Sequence, residues 1–369
     1  MATSRTTPFT VALVSAGRSS DAAQWSGIPQ SLSRSLTDLG VRVVALDLAL
    51  PGPLQAQLNR RLALRHRVAG ALAITLPRRL SRLQVDGVCQ LGAEFVVRTH
   101  LPTVTYDDMT VAQLERRQDH VSSDPTVIRR WRDRQAEIYR GVTICGTFSH
   151  WAASSIVDDY KIDPGKVGVL GWGQNHAISP PASRDWTEPR YLFVGLDWDR
   201  KDGDGVVRAF KRLHRERPDA RLDVVGGHPP LSEDGVTGHG RLRLDDDDER
   251  ARLRSLFAQA TCFVMPSLHE PAGIVYAEAA GGGVPSIGTT AGGAADLIRP
   301  DCGLIVEPNA PDALYEALLR MADPDTAASM GEAARKRARL FTWPAVGERI
   351  LRALGAPHPH DREWLGYLD

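Results

Sequence analysis

The chain has 369 residues, with 45 Lys and Arg balanced by 45 Asp and Glu, so its formal net charge at pH 7 is zero. This balance excludes an overall electrostatic attraction to nucleic acid or to a membrane, and no nucleic-acid partner is predicted. An apolar fraction of 42% is enough for real hydrophobic cores, and the length favours two domains of ordinary size.

In the first half of the chain, apolar runs typical of buried strands alternate with helical patterns. A helix is predicted over 28–39, and strands are predicted over 9–15, 41–46, 87–91, 103–106, 142–145 and 167–170. Such alternation indicates a parallel sheet covered by helices. From Trp172 to Pro189 the composition shifts to Gly, Pro, Asn and Ser, which predicts a linker between domains.

A second alternating series follows this linker. It begins with the run RYLFVGL at Arg190, continues with RLDVVGG at Arg221 and reaches a buried strand at Thr261 to Met265. Each half therefore predicts a Rossmann-like sheet. Ligands bind at the carboxyl ends of the strands in such sheets, so a site in the cleft between the halves is expected.

The segment HEPAGIVYAEAAGGGVPSIGTTAGGAAD, His269 to Asp296, carries the strongest functional signal. Glu270 follows a strand and precedes a helix that begins near Gly273, where unpaired N–H groups and the positive end of the helix dipole favour a diphosphate. In a continuous helix Glu278 would lie about 12 Å further along the axis. Carboxylate pairs that cleave glycosides are about 5–10 Å apart, so these two better suit opposite ends of an extended ligand. The alternative is a dipole-compensating Glu270 and a solvated Glu278.

This segment resembles the signature of the retaining glycosyltransferases of family 4, or group 1, which have the GT-B fold. The family pattern is Glu-Pro-Phe-Gly, a second glutamate, a Gly-x-Pro strand and a Gly-Gly turn. The resemblance implies that Glu270 contacts the hydroxyls of the donor sugar and that Glu278 contacts the ribose. It further implies donor contacts from the surrounding backbone, at Ala272, Gly273, Ile274, Gly292 and Gly293. Ala272 replaces the usual aromatic residue and changes the shape of the sugar pocket.

The segment from Leu192 to Phe210 resembles the family's phosphate-binding loop. Lys201 stands at the position of the family's lysine, but Leu196 stands where an arginine is usual. A leucine cannot bind phosphate as a guanidinium does, and Arg200 is the candidate to compensate. The alternative is that Lys201 and Arg200 are exposed turn residues.

Two segments of the first half are similar to the family's acceptor-side loops. In the loop from Trp25 to Leu32, Gly27 would let backbone amides face the ligand, although it could equally be a plain turn residue. In the run from His100 to Thr110, Asp108 and Thr110 are candidates for acceptor contacts, and a helix-capping role for either residue is equally consistent. His100 is a weaker acceptor candidate. Ser149 is expected to be a helix cap.

Other features indicate compartment and surface. The four cysteines, Cys89, Cys145, Cys262 and Cys302, lack the spacing of a zinc or redox motif, so buried thiols are expected. There is no signal-peptide pattern, and the run AGALAITL is too short to span a bilayer, which predicts a cytoplasmic location. Arginine is dense between Arg60 and Arg140. Solvated helix faces are the favoured explanation, and peripheral contact with anionic lipid is the alternative.

The resemblance implies an α/β fold of GT-B architecture, with two Rossmann-like parallel-sheet domains facing across a cleft and a C-terminal helix returning to the first domain. We predict an acceptor domain over 1–178, with 343–369 packing on it, and a donor domain over 179–342.

The predicted activity is retaining, hexosyltransferase-type transfer from a nucleoside diphosphate sugar to an unidentified acceptor hydroxyl. No cofactor and no metal are expected, and the acidic run from Asp245 to Asp248 is interpreted as a helix start. The alternatives are a catalytically silent nucleotide-sugar-binding accessory protein, and a sugar-nucleotide epimerase on a similar fold.

Overall fold

The computed structural model describes residues 8–21, 24–50, 54, 62–117, 124–358 and 363–369. The chain divides into two compact units, one made of Met1–Gly173 and Trp343–Asp369 and the other of Gln174–Thr342. Within the described ranges, every helix is too short or too polar to cross a bilayer.

The first unit is built on parallel strands in the spatial order β2-β1-β3-β4, continued by β5 and β6. They are β1 (Thr10–Ser15), β2 (Arg42–Asp47), β3 (Gly87–Leu91), β4 (Thr103–Tyr106), β5 (Cys145–Thr147) and β6 (Val167–Val169). Isolated parallel bridges from Val104 to Ile144 and from Asp107 to Thr147 join β4 to the β5–β6 pair. All six residues of β1 are buried, as its apolar run predicts.

Helices cover this sheet and connect its strands. They are α1 (Ile28–Asp38), α2 (Leu62–Ala73), α3 (Leu76–Arg82), α4 (Val111–Arg116), α5 (Pro125–Gly141) and α6 (His150–Tyr160). Three begin at side-chain caps that satisfy their first N–H groups: Thr110 forms a capping box with Gln113, the Asp124 carboxylate accepts from the Thr126 N–H, and the Ser149 hydroxyl accepts from the Ala152 N–H. The predicted capping by Ser149 is therefore confirmed.

The second unit contains one six-stranded parallel sheet in the order β12-β11-β10-β7-β8-β9. Its strands are β7 (Arg190–Gly195), β8 (Arg221–Gly226), β9 (Val236–Gly240), β10 (Cys262–Val264), β11 (Ser286–Thr289) and β12 (Gly303–Val306). Its helices are α7 (Gly203–Glu216), α8 (Asp247–Gln259), α9 (Ile274–Gly281), α10 (Ala294–Leu297), α11 (Pro311–Met321) and α12 (Pro324–Arg337).

The last helix, α13 (Trp343–Ala353), belongs to the first unit. It packs on α1 at Gly347, where an added Cβ would lie 2.9 Å from a methyl carbon of Leu39. The buried Arg349 donates hydrogen bonds to the carbonyls of Leu170 and Gly366, both at 3.0 Å. Two Rossmann-like parallel sheets and a final helix on the first unit confirm the predicted fold class.

One predicted strand was placed too early. The apolar run 142–145 was expected to be a strand, but the regular ladder occupies Cys145–Thr147. Helix α5 ends at Gly141, and the next three residues are its exit, where the Thr143 and Ile144 N–H groups both donate to the carbonyl of Thr103. All four cysteines are buried and free, as expected.

Candidate functional site

In the second unit, the strand order reverses between β7 and β10, which are neighbours although β8 and β9 intervene in sequence. Ligands of open α/β sheets bind outside the carboxyl ends of the strands at such a point. The two loops that leave these strands are tied together, because the Leu268 N–H donates to the carbonyl of Arg200 at 2.8 Å. The loop that carries Lys201 and the loop that carries Glu270 therefore meet at this strand-order reversal.

A buried ion cluster joins these two loops. Lys201 Nζ lies 3.0 Å from Glu270 Oε2, and the two side chains are only 11% and 10% exposed. Arg200 Nη1 lies 3.2 Å from the same oxygen and 2.8 Å from the carbonyl of His269. Burial by itself raises the pKa of Glu270, but the charges of Lys201 and Arg200 outweigh it and hold that pKa below its ordinary value. The site thus holds two cations that share one carboxylate.

The backbone of Glu270 is fixed by the loop after β11. The Glu270 N–H donates to Ala291 O at 2.9 Å, and the Gly293 N–H donates to Glu270 O at 3.1 Å. Gly292 has a φ of 143°, and a Cβ there would lie 1.8 Å from Glu270 O, so only glycine allows this approach. The Gly292 N–H donates to Thr290 O at 2.9 Å.

The expectation that these two glycines offer amides to a donor is therefore not met in this structure. Both N–H groups are already engaged within the protein, and the two glycines instead position Glu270.

The start of α9 lies beside this cluster. Gly273 is the N-cap with a φ of 80°, and Ile274 is the first helical residue, so unpaired N–H groups are available at this end. Ala272, only 7% exposed, packs into the protein and leaves no aromatic ring at this position. The Tyr276 hydroxyl donates to Met265 O and ties the helix to the end of β10.

Glu278 lies on α9 with 7% of its surface exposed. Burial raises its pKa to about 7, while hydrogen bonds from the backbone of His176 and Asn175 favour its ionised form. The His176 N–H lies 3.1 Å from Glu278 Oε1. Leu196 is 63% exposed and carries no charge. Among the residues predicted for this site, the cations are therefore Arg200 and Lys201.

In the first unit, the strand order reverses at β1, which lies between β2 and β3. The loop after β1 places the Trp25 ring 5.3 Å from that of Phe148 and 6.2 Å from that of Tyr106, between centroids. Trp25 Nε1 donates to Asp108 Oδ2 at 3.4 Å. Gly27, with a φ of 78°, is the N-cap of α1. The structure thus brings Asp108 and the Gly27 loop together.

His100 is not brought to this group. It is exposed and precedes β4, whereas Asp108 follows that strand, so the two residues flank opposite ends of it. Thr110 acts as a helix cap, which is the alternative that the sequence left open.

Two neighbours of Asp108, Asp107 and Trp25, were given no role from the sequence. Asp107 is 3% exposed, and one of its carboxyl oxygens has no hydrogen-bond partner among the described residues. Burial, followed by the charge of Asp108, raises the pKa of Asp107 to about 8, and burial raises that of Asp108 to about 6. Trp25 was read only as the start of a loop, and its position in the connection between the first strand and the first helix was the one available signal.

Within the described part of the chain, no cluster of three or more His, Cys, Asp or Glu side chains has the arrangement of a metal site. The acidic run 245–248 starts a helix: the Asp246 carboxylate accepts from the N–H groups of Asp248 and Glu249 and caps α8. Part of the arginine-rich segment, including Arg60, lies outside the described residues.

Comparison with known proteins gives three kinds of similarity. The family model for glycosyl transferases group 1 matches residues 188–323. A GDP-mannose-dependent monoacylated alpha-(1-6)-phosphatidylinositol monomannoside mannosyltransferase of Corynebacterium glutamicum is 34% identical over 173 residues, which are 42% of this chain and 44% of the relative. A D-inositol 3-phosphate glycosyltransferase of Nocardioides sp. is 28% identical over 230 residues, 54% of this chain and 50% of the relative.

The chain spans about half the length of these curated relatives. Among solved structures, sucrose-phosphate synthase from Thermosynechococcus elongatus superposes with a TM-score of 0.70 at 20% identity, covering 93% of this chain and 98% of that one. This likeness shows the fold, and the family match covers the sheet that carries the Lys201–Glu270 cluster. Residues 188–323 thus match the group 1 glycosyl transferase family, and most of the chain has the fold of this solved structure.

Proposed function

We propose that the chain is a retaining glycosyltransferase that moves a hexosyl group from a nucleoside diphosphate sugar to an acceptor hydroxyl, without a metal ion or a cofactor. The observation that carries the proposal is the buried cluster of Lys201, Arg200 and Glu270 at the strand-order reversal of the second unit. The helix N-terminus beside this cluster favours a diphosphate site over a purely structural ion pair, because its unpaired N–H groups and its dipole attract anions.

The leaving diphosphate is the group that needs most stabilisation during transfer, because negative charge grows on it as the bond to the sugar breaks. Lys201 and Arg200 supply two cationic groups, and the unpaired N–H groups at the start of α9 supply a third contact. Together they perform the neutralisation for which other enzymes use a divalent ion, which is the basis for proposing metal independence.

The two glutamates bind the uncharged parts of the donor, which are the transferred sugar and the ribose. Glu270 keeps its charge because two cations lower its pKa, so it accepts hydrogen bonds from the sugar hydroxyls. Glu278 accepts from the ribose hydroxyls when it is ionised. Gly292 and Gly293 contribute by holding the Glu270 backbone in place.

Retention follows from the family resemblance and is proposed as a same-face reaction. The bond between the anomeric carbon and the diphosphate oxygen breaks, and the bond to the acceptor oxygen forms on the same side. The acceptor proton passes to the departing phosphate oxygen, so no side chain is required as a general base.

GDP-mannose is the first donor to test, because the Corynebacterium glutamicum relative is named for it. The experiment offers GDP-mannose and UDP-glucose with a panel of hydroxyl acceptors in EDTA, and follows nucleoside diphosphate release and the anomeric configuration of the product by NMR. We expect Glu270-dependent release with one donor and an axial-to-axial outcome, with Glu270→Ala losing at least a hundredfold in rate.

Each alternative gives a different result. Binding without turnover across the acceptor panel would identify a nucleotide-sugar-binding protein. A changed sugar on an intact nucleotide would identify an epimerase. An inverted product would contradict retention, and activity that EDTA abolishes would contradict metal independence.

A further inference from the structure

The connection between β3 and β4 contains no helix. Parallel strands are usually joined by a crossover that includes an α-helix, but residues 92–102 form irregular chain. Phe95 in this connection packs in the same core cluster as Leu76 of α3. Ala93 packs in a second cluster with Ile138 of α5. The connection therefore crosses one face of the sheet between the helix pair α2–α3 and α5, where a crossover helix would otherwise lie.

A groove of about 500 Å³ lies at this place and is called the α2–α5 groove below. Its apolar lining comes from the connection and from the helix pair with its turn, at Val96, Ala71, Ile74 and Pro77. Ile74 is 79% exposed, which is the largest exposed fraction among the large hydrophobic side chains of the described residues. The groove therefore presents an apolar surface to solvent, which is a feature of docking sites rather than of cores.

The groove is also cationic. Three guanidinium groups line it, those of Arg67, Arg98 and Arg134, and none of its described lining residues is acidic. Arg134 extends from α5 toward α2, since a Cβ added to Gly70 would lie 3.5 Å from its Nη1. Arg98 pairs with Glu137 at 3.1 Å, but both side chains are more than half exposed, so this pair is weak. The three cations are therefore available to an incoming acidic group.

The sequence on both sides of the groove has the same sign of charge. Positions 62–82, which form α2 and α3, hold five Arg and no Asp or Glu. Positions 124–141, which contain α5, hold five Arg against two Asp and one Glu. Because the whole chain is neutral, this face carries a local excess of positive charge. Such an excess attracts acidic partners over a distance of about 8 Å at physiological salt.

A helix matches the groove in shape, and an acidic helix matches it in charge. An α-helix with its side chains is about 10–12 Å across and would complete the layer of helices on this face of the sheet. Its apolar stripe would pack on Ile74, Pro77 and Val96, and carboxylates beside the stripe would meet Arg67 and Arg134. A lipid bilayer would reach projecting side chains but not the floor of a groove, and a small anion would leave the apolar lining exposed to water.

We propose that the α2–α5 groove docks an acidic amphipathic helix of a partner protein. Apolar residues of that helix, spaced i, i+3, i+4 and i+7, pack on the groove, and its flanking carboxylates pair with the arginines. The proposal goes beyond glycosyl transfer and does not depend on it, because the first unit alone forms the groove.

The probe is a designed, fluorescently labelled peptide of about 18 residues, or roughly five helical turns, with leucines in that spacing and glutamates beside them. Its binding to the full chain is measured by fluorescence anisotropy. One control peptide has the same composition scrambled so that no apolar stripe forms, and the other has every glutamate replaced by lysine. We expect saturable binding at least about tenfold tighter than that of either control. The affinity should fall at least about fivefold between roughly 50 and 300 mM NaCl, because salt screens the ion pairs.

Variants test the two halves of the complementarity separately. Ile74→Asp removes the exposed apolar contact, and Arg67→Glu reverses one exposed charge. Each should weaken peptide binding at least about tenfold. Arg34→Glu, at an exposed arginine of α1 outside the groove, is the charge-matched control and should change the Kd by less than about twofold. Thermal unfolding of each variant checks that the fold is retained.

Other occupants give different results. Binding of phosphatidylcholine vesicles that contain phosphatidylglycerol, lost in Ile74→Asp while the peptide fails to bind, would assign the groove to a membrane and overturn the proposal. Displacement of the peptide by inorganic pyrophosphate at constant ionic strength would assign it to a small anion, with the same consequence. Equal affinity for the scrambled peptide, or an unchanged Kd in Ile74→Asp, would also overturn it. No donor is present in these assays, so none of their outcomes bears on the proposed glycosyl transfer.

Discussion

Replacing Lys201 by methionine tests whether the buried cation binds the leaving diphosphate. Methionine keeps much of the length of the side chain and its contact with Met265, whose Sδ lies 2.8 Å from Lys201 Nζ, but removes the charge. A charge-assisted hydrogen bond contributes about 1.5–3 kcal/mol, which corresponds to roughly ten- to hundredfold in affinity. We therefore expect the Kd for the nucleoside diphosphate to rise by about that factor.

Lys201→Met should destabilise the fold less than the loss of a whole buried ion pair would, because Glu270 keeps Arg200 at 3.2 Å after the ammonium is lost. We expect the free energy of unfolding to fall by about 1–3 kcal/mol, below the 3–5 kcal/mol typical of a broken buried pair. Isothermal titration calorimetry with GDP and UDP measures the affinity, and thermal unfolding measures the stability.

Lys211→Met is the matched control, since Lys211 is half-exposed and forms only a 3.8 Å surface pair with Glu233. Its Kd should match that of the unsubstituted chain. An unchanged Kd in Lys201→Met would refute the assignment of Lys201 to the diphosphate.

Four further outcomes are expected. Burial raises the pKa of Glu278 from 4.5 to about 7, so between these pH values the folded state holds a proton that the unfolded state releases, and the free energy of unfolding falls as pH rises from about 4.5 to 7. Glu278→Gln should remove this pH dependence. In urea unfolding, the variant should therefore gain more stability relative to the unsubstituted chain at pH 8 than at pH 5. Donor affinity, in contrast, should improve over the same pH rise because the carboxylate form accepts ribose hydrogen bonds, and a pH-independent Kd would contradict the ribose contact. Gly292→Ala should destabilise the chain by more than about 3 kcal/mol and displace Glu270. Gly355→Ala is the control, because Gly355 has a φ of 69° but open space around an added Cβ, and it should cost about 1–2 kcal/mol. Equal Tm shifts in the two variants would refute the steric argument. Arg184→Ala should cost at least about 2 kcal/mol, because its guanidinium bonds four carbonyls at the ends of α8 and α9, and a Tm shift no larger than that of a surface arginine variant would be evidence against it.

Most strands were predictable because a short stretch of sequence, an apolar run between turn residues, is enough to mark each of them. Gly87–Leu91 and Thr103–Tyr106 were placed to the residue from apolar runs bounded by turn residues. The run 142–145 is likewise apolar, but its strand was predicted too early, because the start of its ladder depends on where α5 ends and where β4 can pair.

The site was predictable in part. Lys201 and Glu270 were identified from their motif positions, but their ion pair joins residues 69 positions apart and depends on the strand order. The conformation of Trp25 was not predictable, because left-handed φ values are rare for large side chains and arise here from tertiary contacts. Gly292 was predicted to contact the donor, whereas in the structure its backbone lies against that of Glu270.

The chain leaves the first unit at Gly173 and re-enters it at Trp343, whose ring would lie 2.4 Å from a Cβ added to Gly173. The second unit is therefore an insertion between two touching residues, and it is complete in sequence before the first. At 5–20 residues per second, ribosomes take roughly 10–30 s to synthesise Gln174–Thr342. Throughout that interval α1 lacks the packing that α13 later provides, so the first unit can be completed only after the second has been synthesised.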